Sequence, residues 1–347
     1  MPKKPLLTLF LLLAILASMA PAALAQGPAD GLVTATEPTA EEATPVEEVA
    51  SILGAGIEGV SWRYEFSSTI LTYTPIISGT VHGTASNDDQ SFPAIDLGFT
   101  FYYDNVAYTQ VSIQSNGWIA MGPTIASSYY PLSTGTTNNV ISALGRDLQG
   151  NGTTSELRSE TIGTAPNRVF VVQWTDYKRY GSAYNGDAFD FQIRLYETSN
   201  LIEIVYGEFT VIYVASPPYG PQVGLRGPSN ADFHNRRTDA THFWADSLRG
   251  TTNADSMSLT DTIYPPNGLT YRWSLFTGVV LDPPEQSGSD CPGSDVVYTY
   301  DVVNTTGTTQ TFDLDYSGVW PVSGPAATGA IPPNGSQAIT VTVHIPW

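Results

Sequence analysis

Phe189-Asp190-Phe191-Gln192-Ile193-Arg194-Leu195-Tyr196 is the stretch that decides the fold. Phe189, Phe191, Ile193 and Leu195 alternate with Asp190, Gln192 and Arg194. Successive side chains of a strand point to opposite faces, so this run has one apolar face to bury and one polar face for water. Glu197 to Asn200 reads as a short turn and Leu201 to Tyr206 as the returning strand, which makes a β-hairpin. Outward from it, Val169 to Trp174 is more continuously apolar and suits a strand covered on both sides. Val111 to Gln114 and Trp118 to Met121 flank Ser115-Asn116-Gly117. Asn-Gly readily takes positive φ, so a tight turn or bulge is expected there. No long stretch carries helical periodicity. Residues 56–276 therefore read as one all-β domain, a large antiparallel β-sandwich.

Thr277 to Ser289 contains Asp282-Pro283-Pro284 and Ser287-Gly288-Ser289, a linker-like composition. Beyond it, Val296, Tyr298, Tyr300 and Val302 share one face, as do Phe312, Leu314 and Tyr316, and then Ile339, Val341, Val343 and Ile345. Alternating strands in about 70 residues predict a small immunoglobulin-like β-sandwich over 277–347. That length is short for the fold, so a small or incomplete module is expected.

The N-terminal end reads differently. Lys3 and Lys4 precede an apolar run from Leu6 to Ala17, and Ala23-Leu24-Ala25 matches a small-x-small cleavage pattern. That order is a secretory signal peptide over residues 1–25, with Gln26 as the new N-terminus. The run is shorter than the ~20 apolar residues of a spanning helix. Residues 26–55 are rich in Ala, Pro, Thr and Glu and carry no aromatic ring. Such a segment buries too little apolar surface to offset its ordering entropy, so a disordered acidic spacer is expected.

Composition narrows the function. The 347 residues carry 33 acidic against 14 basic side chains, a net charge of -19, which becomes -21 once Lys3 and Lys4 are removed. An acidic chain repels phosphate backbones, so a nucleic-acid partner is excluded. With one cysteine, Cys291, neither a disulfide framework nor a multi-cysteine metal site can form within the chain.

The order of several motifs resembles a known domain. Ile95-Asp96-Leu97-Gly98-Phe99-Thr100-Phe101 leads into Tyr102-Tyr103-Asp104-Asn105 and Tyr108. Val111 to Ile113, Ser115-Asn116-Gly117-Trp118-Ile119, Ile141 to Asp147 and Gly163-Thr164-Ala165-Pro166-Asn167-Arg168 follow. Trp174, Phe191-Gln192 and Leu195-Tyr196-Glu197 complete the series. Residues 62–275 are thereby similar to a β-sandwich domain of large secreted bacterial surface proteins, and distantly to the extracellular nidogen-type domain. The usual Trp before the Asp is absent here, because Gly145-Arg146 precedes Asp147. The tail, through Val296 to Tyr300, Asn304 to Gly307 and Ile339 to Val343, resembles immunoglobulin-like modules of bacterial surface and adhesion proteins. The resemblance implies extracellular structural or adhesive work, and it supplies no catalytic residue.

Gly-x-Ser-x-Gly and His-Glu-x-x-His are both missing. Lys178 follows no glycine-rich loop, so a phosphate-binding loop is excluded. Cys291 has no histidine near in sequence and is expected to be buried, a cap, or paired outside this chain. His234 and His242 lie near Asp239, Asp246 and Ser247, a stretch that reads as a packed polar loop. Asp147, Asn151 and Glu156 sit among Gly150 and Gly152, but their spacing departs from a calcium loop and a polar turn is expected. Tyr177, Tyr180 and Tyr184, with Lys178, Arg179 and Asp187, form the candidate ligand-binding set, since aromatic faces beside polar groups stack on sugar rings. The expectation is a secreted or cell-surface, non-catalytic protein without cofactor or metal. Its loops contact an extracellular protein or polysaccharide. The alternative is a carbohydrate-binding accessory module of a glycan-degrading protein.

Overall fold

The Phe189 run becomes strand β11 (Ala188–Tyr196), and Phe189, Phe191, Ile193 and Leu195 are all buried. The returning segment is β12 (Ile202–Thr210), paired antiparallel with β11. The computed structural model describes residues 12–16, 59–215, 220–282, 286, 288–306, 308–333 and 335–347. Apart from Leu12–Leu16 (β1), the expected signal peptide and the acidic spacer lie outside the described residues.

Two antiparallel sheets build the unit Glu58–Phe276. The first runs β2 (Tyr64–Ile70), β16 (Leu269–Leu275), β12, β11, β10 (Val169–Arg179), β9 (Glu156–Ile162) and β3 (Thr80–Thr84), with β8 (Leu148–Gly150) also on β10. The second runs β15 (Leu248–Arg249), β14 (Phe233–Arg237), β13 (Gln222–Arg226), β7 (Val140–Gly145), β6 (Trp118–Met121), β5 (Val106–Gln114) and β4 (Ser91–Tyr103). One apolar cluster joins their facing surfaces. Trp174, Phe191, Tyr206 and Trp273 come from the first sheet, and Phe101, Tyr103, Ile113 and Ile141 from the second. The Trp174 and Phe191 rings stack with centroids 4.9 Å apart.

Both outer faces are partly covered, which explains strands that do not alternate cleanly. Residues 71–79 cross the first sheet and are clasped by two buried glutamines facing each other on β10 and β11. Gln173 accepts from the Ile76 amide at 2.8 Å and donates to the Ile76 carbonyl at 3.2 Å. Gln192 donates to the Thr74 carbonyl at 2.9 Å and to Gln173 at 2.7 Å. On the second sheet, Trp118, Ala120, Val140 and Leu132 form a separate small cluster beneath the 122–139 loop. Arg226 holds that loop by donating to the Pro131 and Gly135 carbonyls and to Asn138. The short helix α1 (Val60–Arg63) enters the sandwich at β2, with the Gly59 and Val60 amides capped by the Asp104 and Asp232 carboxylates, each at 3.0 Å.

The expected turn at Ser115-Asn116-Gly117 joins β5 to β6. Gly117 has φ 81°, and a Cβ there would lie 2.6 Å from the Leu144 carbonyl oxygen. The unit Thr277–Trp347 is an antiparallel four-stranded sheet in the order β17 (Val279–Asp282), β18 (Asp295–Asn304), β21 (Ser336–His344), β20 (Val322–Ser323). Tyr298, Tyr300, Val302, Val341 and Val343 share its core with Phe312 and Leu314. Strand β19 (Asp313–Ser317) pairs with β1. Cys291 is exposed in an irregular approach to β18, which removes the buried alternative and leaves the cap and the pairing outside this chain.

Truncating Trp174 to Ala removes a stacked indole from the inter-sheet layer and is expected to cost about 3–5 kcal/mol in urea unfolding. Gly117→Ala forces a side chain into positive φ against a carbonyl, with an expected loss above ~1 kcal/mol. A midpoint unchanged by either substitution would contradict the packing described.

Candidate functional site

Three connections meet at one end of the sandwich. They are residues 85–90 between β3 and β4, residues 146–147 between β7 and β8, and residues 180–187 between β10 and β11. Asp88 bridges to Gln149, the Gly150 amide donates to the Asn87 carbonyl at 2.9 Å, and the Tyr180 amide donates to the Asp147 carbonyl at 3.0 Å. The 122–139 loop joins them through Tyr129, whose hydroxyl donates to Asp89 at 2.9 Å. Asn116, at the β5–β6 turn, donates to the other Asp89 oxygen at 2.8 Å and accepts from the Leu148 amide at 2.8 Å.

The convergence gathers three carboxylates. One oxygen each from Asp88, Asp89 and Asp147 lies within 4.8 Å of the others. Asp88 and Asp147 each keep a buried oxygen with no hydrogen-bond donor. Burial, then the charges of Asp89 and Asp88, pushes the Asp147 carboxyl up to about 6. Burial also raises Asp88. The crowding of these like charges, together with burial, favours the protonated form of Asp147.

Two arginines stand beside this trio. Arg179 is buried and paired in a fork with the buried Asp187, at 2.6 and 3.0 Å, and its guanidinium lies 4.4 Å over the Tyr184 ring. Arg146 follows β7 and is only 8% exposed. Its Nε is buried with no acceptor, and burial holds the guanidinium below its ordinary range.

The candidate tyrosines separate. Tyr177 lies in β10 and not in the loop, with its ring in the inter-sheet core and its hydroxyl accepting from Asn87 at 3.0 Å. A bulge is the reason. The β10–β11 register shifts between Trp174 and Tyr177, and Asp176 takes φ 52°, so both rings face inward three residues apart. Tyr180 is 51% exposed at the rim, and Tyr184 is half-buried under Arg179. Lys178 is buried and donates to Asn185 at 2.9 Å.

The other sequence candidates also disperse. Asn151 donates to Asp176 and to the Asp187 carbonyl, and Glu156 pairs with Arg158 at 2.5 Å, so neither joins Asp147. Asp88 and Asp89, some 58 residues earlier in the chain, take their place, a partnership that no local spacing displays. His234 is buried, with its ring 6.3 Å from the Trp273 ring, and His242 contacts Asp239 at 3.0 Å. Ser247 bonds to Arg236, and no histidine hydrogen-bonds to it among the described residues. A second, open depression of about 280 Å³ lies on the outer face of the first sheet, lined by Thr154, Asp176, Asp190, Glu208 and Thr210 among others. Much of its acid is already occupied. Asp176 accepts from Asn151 and Thr154, and Asp190 accepts from the Asp176 amide at 2.8 Å.

The Asp147 carboxyl gives a pH prediction. Its folded value, about 6, stands above the ordinary 3.8. The folded state therefore binds the extra proton, and stability falls as pH rises between those values. Asp147→Asn is expected to flatten that fall and to be more stable than the parent at pH 7 by about 1 kcal/mol, after discounting for solvent screening. Thermal melts of both proteins from pH 4 to 7 check this, and parallel profiles would contradict it.

A family model described as NIDO related matches residues 63–275. No curated protein and no solved structure matches the chain. NIDO-related proteins are not a known enzyme family, and a nidogen-related domain suggests a structural role outside the cell. The match runs from the first strand of the two-sheet sandwich to its last and covers more than half of the chain, which belongs to the NIDO-related family.

Proposed function

We propose that this is a secreted, non-catalytic structural and adhesive protein of a bacterial surface or extracellular matrix. Family membership over the whole sandwich carries the reading. Its physical support is a rigid two-sheet core that holds several loops at one end without needing them for cohesion. The leader over residues 1–25 exports the chain, the acidic spacer over 26–55 separates the sandwich from its N-terminus, and the C-terminal unit serves as an immunoglobulin-like module. Partner contact falls to the loops at the Asp147 end, where backbone and side chains of three connections meet.

A second reading is a carbohydrate-binding accessory role. Tyr180, half-exposed beside Tyr184 and Arg179, favours it. Tyr177, enclosed by the two sheets, contributes position and not contact.

Expressed in a bacterium with its leader, the chain is expected in the medium or on the surface, beginning at Gln26. The purified protein is expected to adhere to extracellular matrix of the producing cells without consuming it. Retention in the cytoplasm, or turnover of a peptide or glycan that a single carboxylate or serine substitution abolishes, would overturn the proposal.

A further inference from the structure

Arg146 stands apart from the other buried arginines of the sandwich. Arg179 has Asp187, Arg63 has Asp104 and Asn105, Arg226 has two carbonyls and Asn138, and Arg236 has the Ser247 carbonyl and the Phe66 ring. Arg146, 8% exposed against 2%, 3% and 7% for Arg179, Arg226 and Arg236, is the most exposed of these four but still largely removed from water, yet no hydrogen bond or ion pair reaches its guanidinium among the described residues. A buried cation without an acceptor is costly to the folded state. Its position is the loop-bearing end, one residue before Asp147 and beside Tyr130 and Tyr184. Tyr129, 40% exposed, and Tyr180, 51% exposed, stand on the rim.

We propose that Arg146 anchors a site for the carboxylate of a uronic-acid residue in an acidic extracellular polysaccharide. The inference rests on the adhesive reading above and names its ligand. A guanidinium presents a planar fork of donors that a carboxylate fills with two parallel hydrogen bonds. The exposed rings of Tyr129 and Tyr180 supply flat apolar faces of the kind that pack on a pyranose. The neighbouring acids select among anions. Asp88 and Asp147 each offer a buried oxygen that lacks a donor. A uronate carries hydroxyl donors around its single carboxylate and satisfies both charges of the site. A phosphate concentrates more negative charge beside Asp88, Asp89 and Asp147, and a polyglutamate chain lacks the ring hydroxyls and the flat pyranose face.

The test is calorimetric titration of the chain from residue 26 onward with a galacturonate trimer, a galactose trimer and triglutamate at about 0.1 M salt, where charges beyond roughly 10 Å are screened. Binding is expected for the galacturonate trimer and for neither of the others. Arg146→Met is expected to weaken it at least about tenfold, the scale of one lost charge-assisted hydrogen bond. Tyr180→Ala, at an exposed position, is expected to weaken it several-fold. The melting temperature separates ligand anchor from structural prop. Removing an unpaired buried charge should leave it unchanged or raise it, whereas a drop beyond ~5 °C marks an arginine that supports the fold and overturns the proposal. Equal affinity for the galactose trimer, no uronate binding, or binding that Arg146→Met leaves intact each overturns it as well. If the parent protein adheres to matrix yet binds no uronate, the adhesive reading survives and this site falls. If the parent protein adheres to nothing yet binds the uronate through Arg146, the site stands and the adhesive reading falls.

Discussion

The structure depends on one layer of aromatic and branched side chains held between two antiparallel sheets. Trp174, Phe191, Tyr206 and Trp273 from one side meet Phe101, Tyr103, Ile113 and Ile141 from the other. Each fully buried large apolar side chain contributes roughly 1.5–3 kcal/mol relative to exposure, so dozens of them outweigh any single polar contact in the unit. This layer also fixes strand register, because a slip of one residue would turn every ring outward. The polar devices are subordinate to it. Gln173 and Gln192 clasp residues 71–79 on the outer face, where an unbonded buried amide would be costly.

Rigidity in the middle permits disorder of charge at the end. Asp88, Asp89 and Asp147 are crowded closely enough to push Asp147 up to about 6, and Arg146 is buried without an acceptor. Neither arrangement stabilises the unliganded fold. Elsewhere in the sandwich some buried charge is paired, as in Arg179–Asp187 and in Glu203 with Arg272 at 2.7 Å, and some is met by neutral acceptors, as at Arg226. Crowded acids beside a buried arginine without an acceptor, gathered in one loop cluster, are the pattern of a site whose partner arrives from outside. The same logic sets aside the open depression near Asp176, whose acids largely find donors within the protein.

How much of this was legible in the sequence varies with the range of the interaction. The hairpin around Phe189, the Asn116-Gly117 turn and the all-β class follow from period-two alternation and local turn chemistry, which act over a few residues. The family resemblance also lies in linear order, and the matched span 63–275 agrees with the motifs between Ile95 and Glu197. Tyr177 was misplaced for a local reason that alternation conceals. The bulge at Thr175-Asp176 adds one residue, reverses the parity of β10 and carries Tyr177 inside. The continuous apolar run at Trp118 to Met121 was equally ambiguous until the 122–139 loop was seen to cover its outer face.

By itself, then, the sequence determined the all-β class and the hairpin around Phe189, because those follow from neighbours on the chain. Only the tertiary structure decided that Asp147 would meet Asp88 and Asp89 instead of Asn151 and Glu156, and that Arg146 would be buried alone. Those outcomes depend on which strands lie side by side in space. Loops distant in sequence are brought together by sheet topology, and the free energy that does so resides in the core between the sheets and not in the loops.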